Sequence, residues 1–231
     1  MRFVIREQPY ETPLASGVLE YEQDSRPTGT VESWRLSSAV DGYQFLRVDL
    51  DARQAESGRT YLYHLVLHKN GRPERLQYRF WNSGLQVTGH VLLADGTATA
   101  SRIVNGQRFE EEITVSGQYA FWFPSSVGLS LLASLGKVGV ATAIGLKAPS
   151  KAQQATAELS DVFALYQVDV HLNFGDRETL VIVGQSHTVR SLSIRWADQR
   201  RVVWLDEYGT VLKMVRDDSL TSVATRYIRY K

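Results

Sequence analysis

Alternation of apolar and polar residues runs through most of the chain, and where it holds it predicts strands. In "DGYQFLRVDLDAR", Leu46, Val48 and Leu50 fall on one side, and Arg47, Asp49 and Asp51 on the other. The run "RTYLYHLVLHKNG" ends at the turn signal Asn70-Gly71, and "RPERLQYRFWNSG" answers it across a hairpin. Asp95-Gly96 and Asn105-Gly106 punctuate the next strands in the same way, and the cluster "DSRP" separates "SGVLEYEQ" from "TGTVESWRLSS". Each long strand is thus expected to turn directly into an antiparallel neighbour. The first 13 residues read as a lead-in strand ending at Pro9 and Pro13. In "VFALYQVDVHLNFG", Val162, Ala164, Tyr166, Val168, Val170, Leu172 and Phe174 share one face. Five further strand-like runs carry the pattern to the C-terminus, which is expected to be tied into the sheet.

The rhythm breaks once, at "FWFPSSVGLSLLASLGKVGVATAIGL". Pro124 cannot donate within a sheet and suits the entry to a helix. Ser125 and Ser126 are residues of the N-cap type. Leu131, Leu132, Leu135 and Val138 follow at helical spacing, which predicts a short helix over Val127–Lys137, ended by Gly136 and Gly139. "VGVATAIGL" then re-enters the sheet, and "KAPSKAQQATAEL" reads as a linker with room for one helical turn. An apolar helix between two sets of strands predicts that Leu131, Leu132 and Leu135 are buried against the sheet. The stretch is too interrupted by Ser, Thr and Pro124 for a membrane span, which needs about 20 predominantly apolar residues.

Charge and composition narrow the function classes. The 26 Lys and Arg balance 25 Asp and Glu, leaving a formal charge of +1 and no global field to gather nucleic acid. Hydrophobic residues make up 43%, sufficient for a proper core. Cysteine is absent, which excludes disulfides, cysteine–zinc sites and thiol catalysis. "MRFVIREQPYETP" lacks the apolar core of a secretory signal, so the cytoplasm is the expected compartment, with the protein a monomer or weak homodimer.

Candidate chemistry is sparse. His64 and His68 fall on one strand about 13 Å apart at strand rise, too far to share a metal. His90, His171 and His187 have no ligand-type spacing, so no metal is expected. "FEEEI" puts Glu110 and Glu112 on one face and Glu111 on the other, the pattern of a solvated sheet face more than of an acid–base pair. No nucleophile elbow, phosphate loop or dinucleotide glycine pattern occurs, and no catalytic residue or cofactor is assigned. Arg beside aromatics recurs at Tyr78-Arg79-Phe80-Trp81 and Arg195-Trp196, chemistry that suits anionic head groups as well as an ordinary polar sheet face.

The meander, the apolar insertion and the closing "WLDEYGTVLKMV" followed by "TRYIRY" resemble the superfamily of half-barrel and spiral β-roll proteins. That superfamily includes bacterial lipoprotein carriers and a bacterial family named for glycolipid binding. The hairpin Trp204–Lys213 is similar to the one in which such families end. The resemblance implies binding of an amphiphile.

These readings predict one domain over residues 1–231, built on a single strongly curved antiparallel sheet, an open barrel or spiral β-roll, with one short helix near 127–137. The function expected is non-enzymatic binding of a lipid-like or other amphiphilic small molecule. Its cavity lies between sheet and helix and is lined by Tyr78, Phe80, Trp122, Leu132, Arg195 and Trp196. Two alternatives stand beside it. One is an enzyme with a dispersed Glu/His/Arg site on the concave face, and the other is a structural or partner-binding domain.

Overall fold

The computed structural model describes residues 5–135, 139–149 and 159–230, and for residues 134 and 135 the backbone alone. Fifteen strands form one sheet in the order β8-β7-β6-β5-β4-β3-β2-β1-β15-β14-β13-β12-β11-β10-β9. The first meander is β1 (Thr12–Gln23), β2 (Arg26–Ser38), β3 (Gln44–Ala52), β4 (Arg59–Leu67), β5 (Pro73–Trp81), β6 (Gln86–Ala94), β7 (Thr97–Val104) and β8 (Gln107–Thr114). The second is β9 (Ala120–Trp122), β10 (Gly139–Leu146), β11 (Leu165–Ile182), β12 (Gln185–Trp196), β13 (Gln199–Leu205), β14 (Val211–Arg216) and β15 (Leu220–Arg229). The first and last strands join the two meanders, Ala15 pairing with Arg229 and Gln23 with Leu220. Among the described residues all pairs are antiparallel except β9 with β10, and no ladder joins the end strands β8 and β9.

Turn chemistry explains the meander. Asn105 (φ 47°) and Gly106 (φ 87°) are both left-handed, the conformation that a two-residue hairpin turn requires. Asp24 and Ser25 do the same between β1 and β2 without a glycine. The expected lead-in strand is absent from residues 5–11, and β1 begins at Thr12. Pro13 carries no N–H, and a register shift follows between Pro13 and Ala15, where the β15 ladder starts.

Residues 5–11 instead lie across the outer face of β2 and β3. Arg47, 1% exposed, donates to both Glu11 carboxylate oxygens at 2.7 and 2.8 Å and to the Ile5 carbonyl at 2.9 Å. Glu11 also accepts from Ser37 Oγ, and Glu7 pairs with Arg35 at 2.8 Å. These buried charges are satisfied, as burial demands.

The inner face carries the core, and apolar residues of both meanders share it: Leu19, Leu65, Leu76, Leu172, Ile194 and Val203 are all fully buried. Three cross-strand pairs set a large ring over a glycine: Trp34 over Gly17, Tyr78 over Gly89 and Trp122 over Gly145. A Cβ at any of these glycines would come within 2.4–2.6 Å of the ring. Glycine there is a packing requirement, since the ring occupies the space a side chain would need.

Between β9 and β10 the apolar insertion forms an α-helix, α1 (Ser126–Ser130), continued by a 3₁₀ turn over Leu131–Leu135. This is shorter than the expected helix. Two Ser, a Gly and a Val give five residues little intrinsic helicity, so packing holds them. Ser125 is the N-cap, accepting from Gly128 N at 2.7 Å. Leu131 and Leu132 are buried, while the Leu135 side chain, Gly136, Lys137 and Val138 lie outside the described residues. No helix among the described residues is long and apolar enough to cross a membrane.

Candidate functional site

A buried carboxylate fixes the helix to the sheet. Glu32 on β2, fully buried, accepts from Ser126 N and Val127 N at 3.0 Å each and from the Tyr21 hydroxyl. Ser126 Oγ in turn lies 2.7 Å from Tyr21 Oη and 2.7 Å from Ser222 Oγ on β15. Burial holds the Glu32 carboxyl above its usual range, against the lowering effect of the hydrogen bonds it accepts. Burial, then the adjacent Glu32 charge, drives the Tyr21 phenol well above its usual range. Tyr63 completes the attachment: its hydroxyl donates to the Pro124 carbonyl at 3.2 Å, and its ring lies 4.5 Å from Phe123.

So anchored, the insertion forms one wall of a cleft of about 1320 Å³. The hairpin ends β1–β2, β3–β4, β12–β13 and β14–β15 supply much of the remaining wall, with Ala148 and Pro149. Its apolar floor is Trp122, Trp196, Leu129, Met214 and Leu50. The two indoles lie 5.3 Å apart, and Trp122 Nε1 is buried with no hydrogen-bond partner among the described residues. Tyr61 and Arg59 of β4 line the same space. Arg59 donates Nη1 to the Pro149 carbonyl at 2.9 Å, leaving Nε buried and unpartnered among the described residues. Arg201 sits over Trp196, 5.2 Å from the ring centre.

The structure divides the residues singled out in the sequence. Trp122 and Trp196 both line the cleft. Tyr78 and Phe80 are 1% exposed and do not; their rings pack 5.0 and 5.5 Å from Phe163, which fills the space over β4 and β5. Leu132 is fully buried and does not line the cleft, which Ser126 and Leu129 of the helix reach instead. Arg195 points to solvent, because alternation sends it to the face opposite Trp196.

Three contributors escaped the sequence reading. Arg201 reaches the cleft by pairing across strands with Arg216, a register that no local pattern reveals. Arg59 gets there from the start of β4. Phe163, at φ 55°, holds a left-handed conformation uncommon for an aromatic residue, and no periodicity predicts it.

The polar groups weighed as catalytic lie apart. His64 is buried on the outer face between Arg47 and Phe45; neither ring nitrogen has a partner among the described residues, and burial lowers its pKa to about 4. Glu111 on β8 pairs with Arg102 at 2.5 Å and accepts from Leu165 N at 2.6 Å, tying the end strand to the start of β11. No histidine lines the cleft, and no group of three metal-binding side chains occurs among the described residues.

No protein-family model matches the chain, and no curated protein matches it in sequence. Two solved structures of PNGF-II, in space groups C2 and P21, are similar to it. The first is 10% identical, with a TM-score of 0.32, over 95% of this chain and 28% of that one. The second is 11% identical, with a TM-score of 0.30, over 95% of this chain and 29% of that one. The chain spans under a third of the length of those structures, and a likeness at this TM-score identifies neither a family nor an activity.

Proposed function

We propose that the protein binds an amphiphilic small molecule, without transforming it, in the cleft between the insertion and the hairpin ends. The observation that carries this reading is the pairing of Trp122 with Trp196 in a 1320 Å³ space that Arg59 and Arg201 also line. Small-molecule sites are concave, largely apolar and furnished with a few polar groups that fix orientation. An alkyl or ring portion fits on the indoles, where burial of each CH₂ contributes about 0.8 kcal/mol. A polar head then faces the arginines. The expected curvature of the sheet around the ligand, the β-roll kinship, a cytoplasmic setting and a monomeric or weakly dimeric state belong to the same proposal. Fractionation and sedimentation test the last two.

The test is a titration with dodecyl amphiphiles below their micelle concentration, read by tryptophan emission. Two of the five Trp residues line the cleft, so a saturable one-to-one shift is expected. Trp196→Ala removes a wall and is expected to weaken binding by about tenfold or more, the worth of one aromatic contact. Absence of saturable binding to any amphiphile, with the fold intact by circular dichroism, would leave a structural role ahead.

A further inference from the structure

The cleft sets two arginines side by side, each held by an aspartate of the β14–β15 turn. Arg201 on β13 and Arg216 on β14 are direct cross-strand partners, and both line the cleft. Like charges opposite one another destabilise a sheet. The pair is not wholly solvated, since the Arg201 side chain is 12% exposed and the Arg216 side chain 36%. Burial and then the neighbouring Arg216 charge lower the Arg201 pKa.

Each guanidinium is only partly engaged. Arg201 Nη1 donates to Asp217 at 2.9 Å and to the Arg200 carbonyl at 2.7 Å, and Nη2 donates to Gln199 at 3.0 Å. Arg216 donates Nε to Asp218 at 2.9 Å, and Nη2 to the same carboxylate. Asp217 and Asp218 belong to the β14–β15 turn, so both carboxylates approach from the hairpin tip. No acceptor among the described residues engages Arg201 Nε or Arg216 Nη1. Arg26 and Arg59 add two more cations to the lining, against Asp24, Glu56 and Asp218. The apolar floor is contiguous with this rim, because Arg201 lies directly over Trp196.

Resting on the amphiphile reading above, we propose that the head group is a phosphate, seated between Arg201 and Arg216 with its chain on Trp122 and Trp196. A phosphate monoester carries close to two charges near neutral pH and offers three acceptor oxygens. It therefore accepts from both guanidinium groups together, at the N–H groups that Asp217 and Asp218 leave unengaged. A carboxylate has two oxygens and one charge, and suits one fork. A neutral head group offers no charge to the guanidinium N–H groups that Asp217 and Asp218 leave unengaged.

The experiment compares dodecyl phosphate, dodecanoate, 1-monolauroylglycerol and inorganic phosphate on the whole chain near neutral pH, by tryptophan emission and calorimetry. Dodecyl phosphate is expected to bind about tenfold more tightly than dodecanoate, and further ahead of the neutral lipid, on the scale of one charge-assisted hydrogen bond. Arg216→Gln and Arg201→Gln are each expected to reduce that preference to about threefold or less. Raised salt is expected to erode it too. Equal affinity for the three lipids, unchanged by either substitution, overturns the phosphate assignment and leaves the amphiphile reading standing. Dodecanoate equal to dodecyl phosphate, both ahead of the neutral lipid, overturns it in favour of a carboxylate. Inorganic phosphate bound as tightly as dodecyl phosphate overturns the joint use of floor and rim. No binding of any lipid defeats the amphiphile reading itself.

Discussion

Trp122 lies over Gly145 of the neighbouring strand, so close that a Cβ there would come within 2.4 Å of the indole Nε1. One glycine thus sets the position of a cleft wall. Gly145→Ala has to displace the indole, and overpacking of this kind costs about 1–3 kcal/mol. The variant is expected to melt earlier than wild type and to show altered tryptophan emission. An unchanged melting temperature would mean that the ring is free to move.

Glu32 is expected to be the fastening of the insertion. Glu32→Ala strands the N–H groups of Ser126 and Val127 in a dry interior and leaves the Tyr21 hydroxyl with Ser126 Oγ alone. The loss is expected to be on the order of 3 kcal/mol or more, at about 1–3 kcal/mol per unsatisfied buried group. Glu32→Gln keeps one acceptor and is expected to lose less. Denaturant unfolding of the two variants decides it: equal midpoints for wild type and Glu32→Ala would remove the fastening from the account.

His64 makes stability depend on pH. Its folded pKa, about 4, lies below the unfolded value near 6.5, because burial and the facing Arg47 and Arg75 oppose the imidazolium while Glu11 favours it. The unfolded chain therefore takes up a proton that the native protein refuses. The His64 contribution is fully present above about pH 6.5 and declines as pH falls toward 4, by about 2–3 kcal/mol in all. Urea midpoints measured across that window are expected to fall, and His64→Leu is expected to flatten the decline. A decline of equal slope in His64→Leu would assign it to other groups.

Most hairpins were legible because a local turn signal, as at Asn105-Gly106, and an alternation fix which strands pair and which face is buried; the β1–β15 junction, the parallel β9–β10 pair and the continuity of β11 were not, because they depend on long-range register. The helix start was legible from Pro124 and Ser125, whose capping geometry is local. Its length was not, because five residues rich in Ser, Gly and Val have no helicity of their own to read. At the cleft, Trp122 stood out at the start of the apolar insertion and Trp196 as an aromatic beside Arg195. Tyr78 and Phe80 looked equivalent in sequence, yet Phe163 fills the space before them. The distinction depends on one left-handed residue more than 80 positions away. The Arg201–Arg216 pair was hidden for a related reason: its meaning lies in a cross-strand register, and each Arg alone resembles any polar strand residue.

Leu132, fully buried in the core, follows directly on the helix that lines the cleft. Leu132→Asp buries an unpaired charge and is expected to cost several kcal/mol, enough to lower the melting temperature by ten degrees or more on the scale of about 2–4 °C per kcal/mol for a chain of this size. Thermal unfolding followed by circular dichroism checks it, and a wild-type melting curve would place the insertion outside the core.

The central claim is that the Trp122–Trp196 cleft holds one amphiphile. Native mass spectrometry tests it most directly, on wild type and on Trp196→Ala, each incubated with an equimolar dodecyl amphiphile and sprayed without detergent. The account predicts a wild-type peak at the chain mass plus one amphiphile, strongly reduced in Trp196→Ala. Wild-type protein at the bare chain mass, or equal adducts in both proteins, would contradict it.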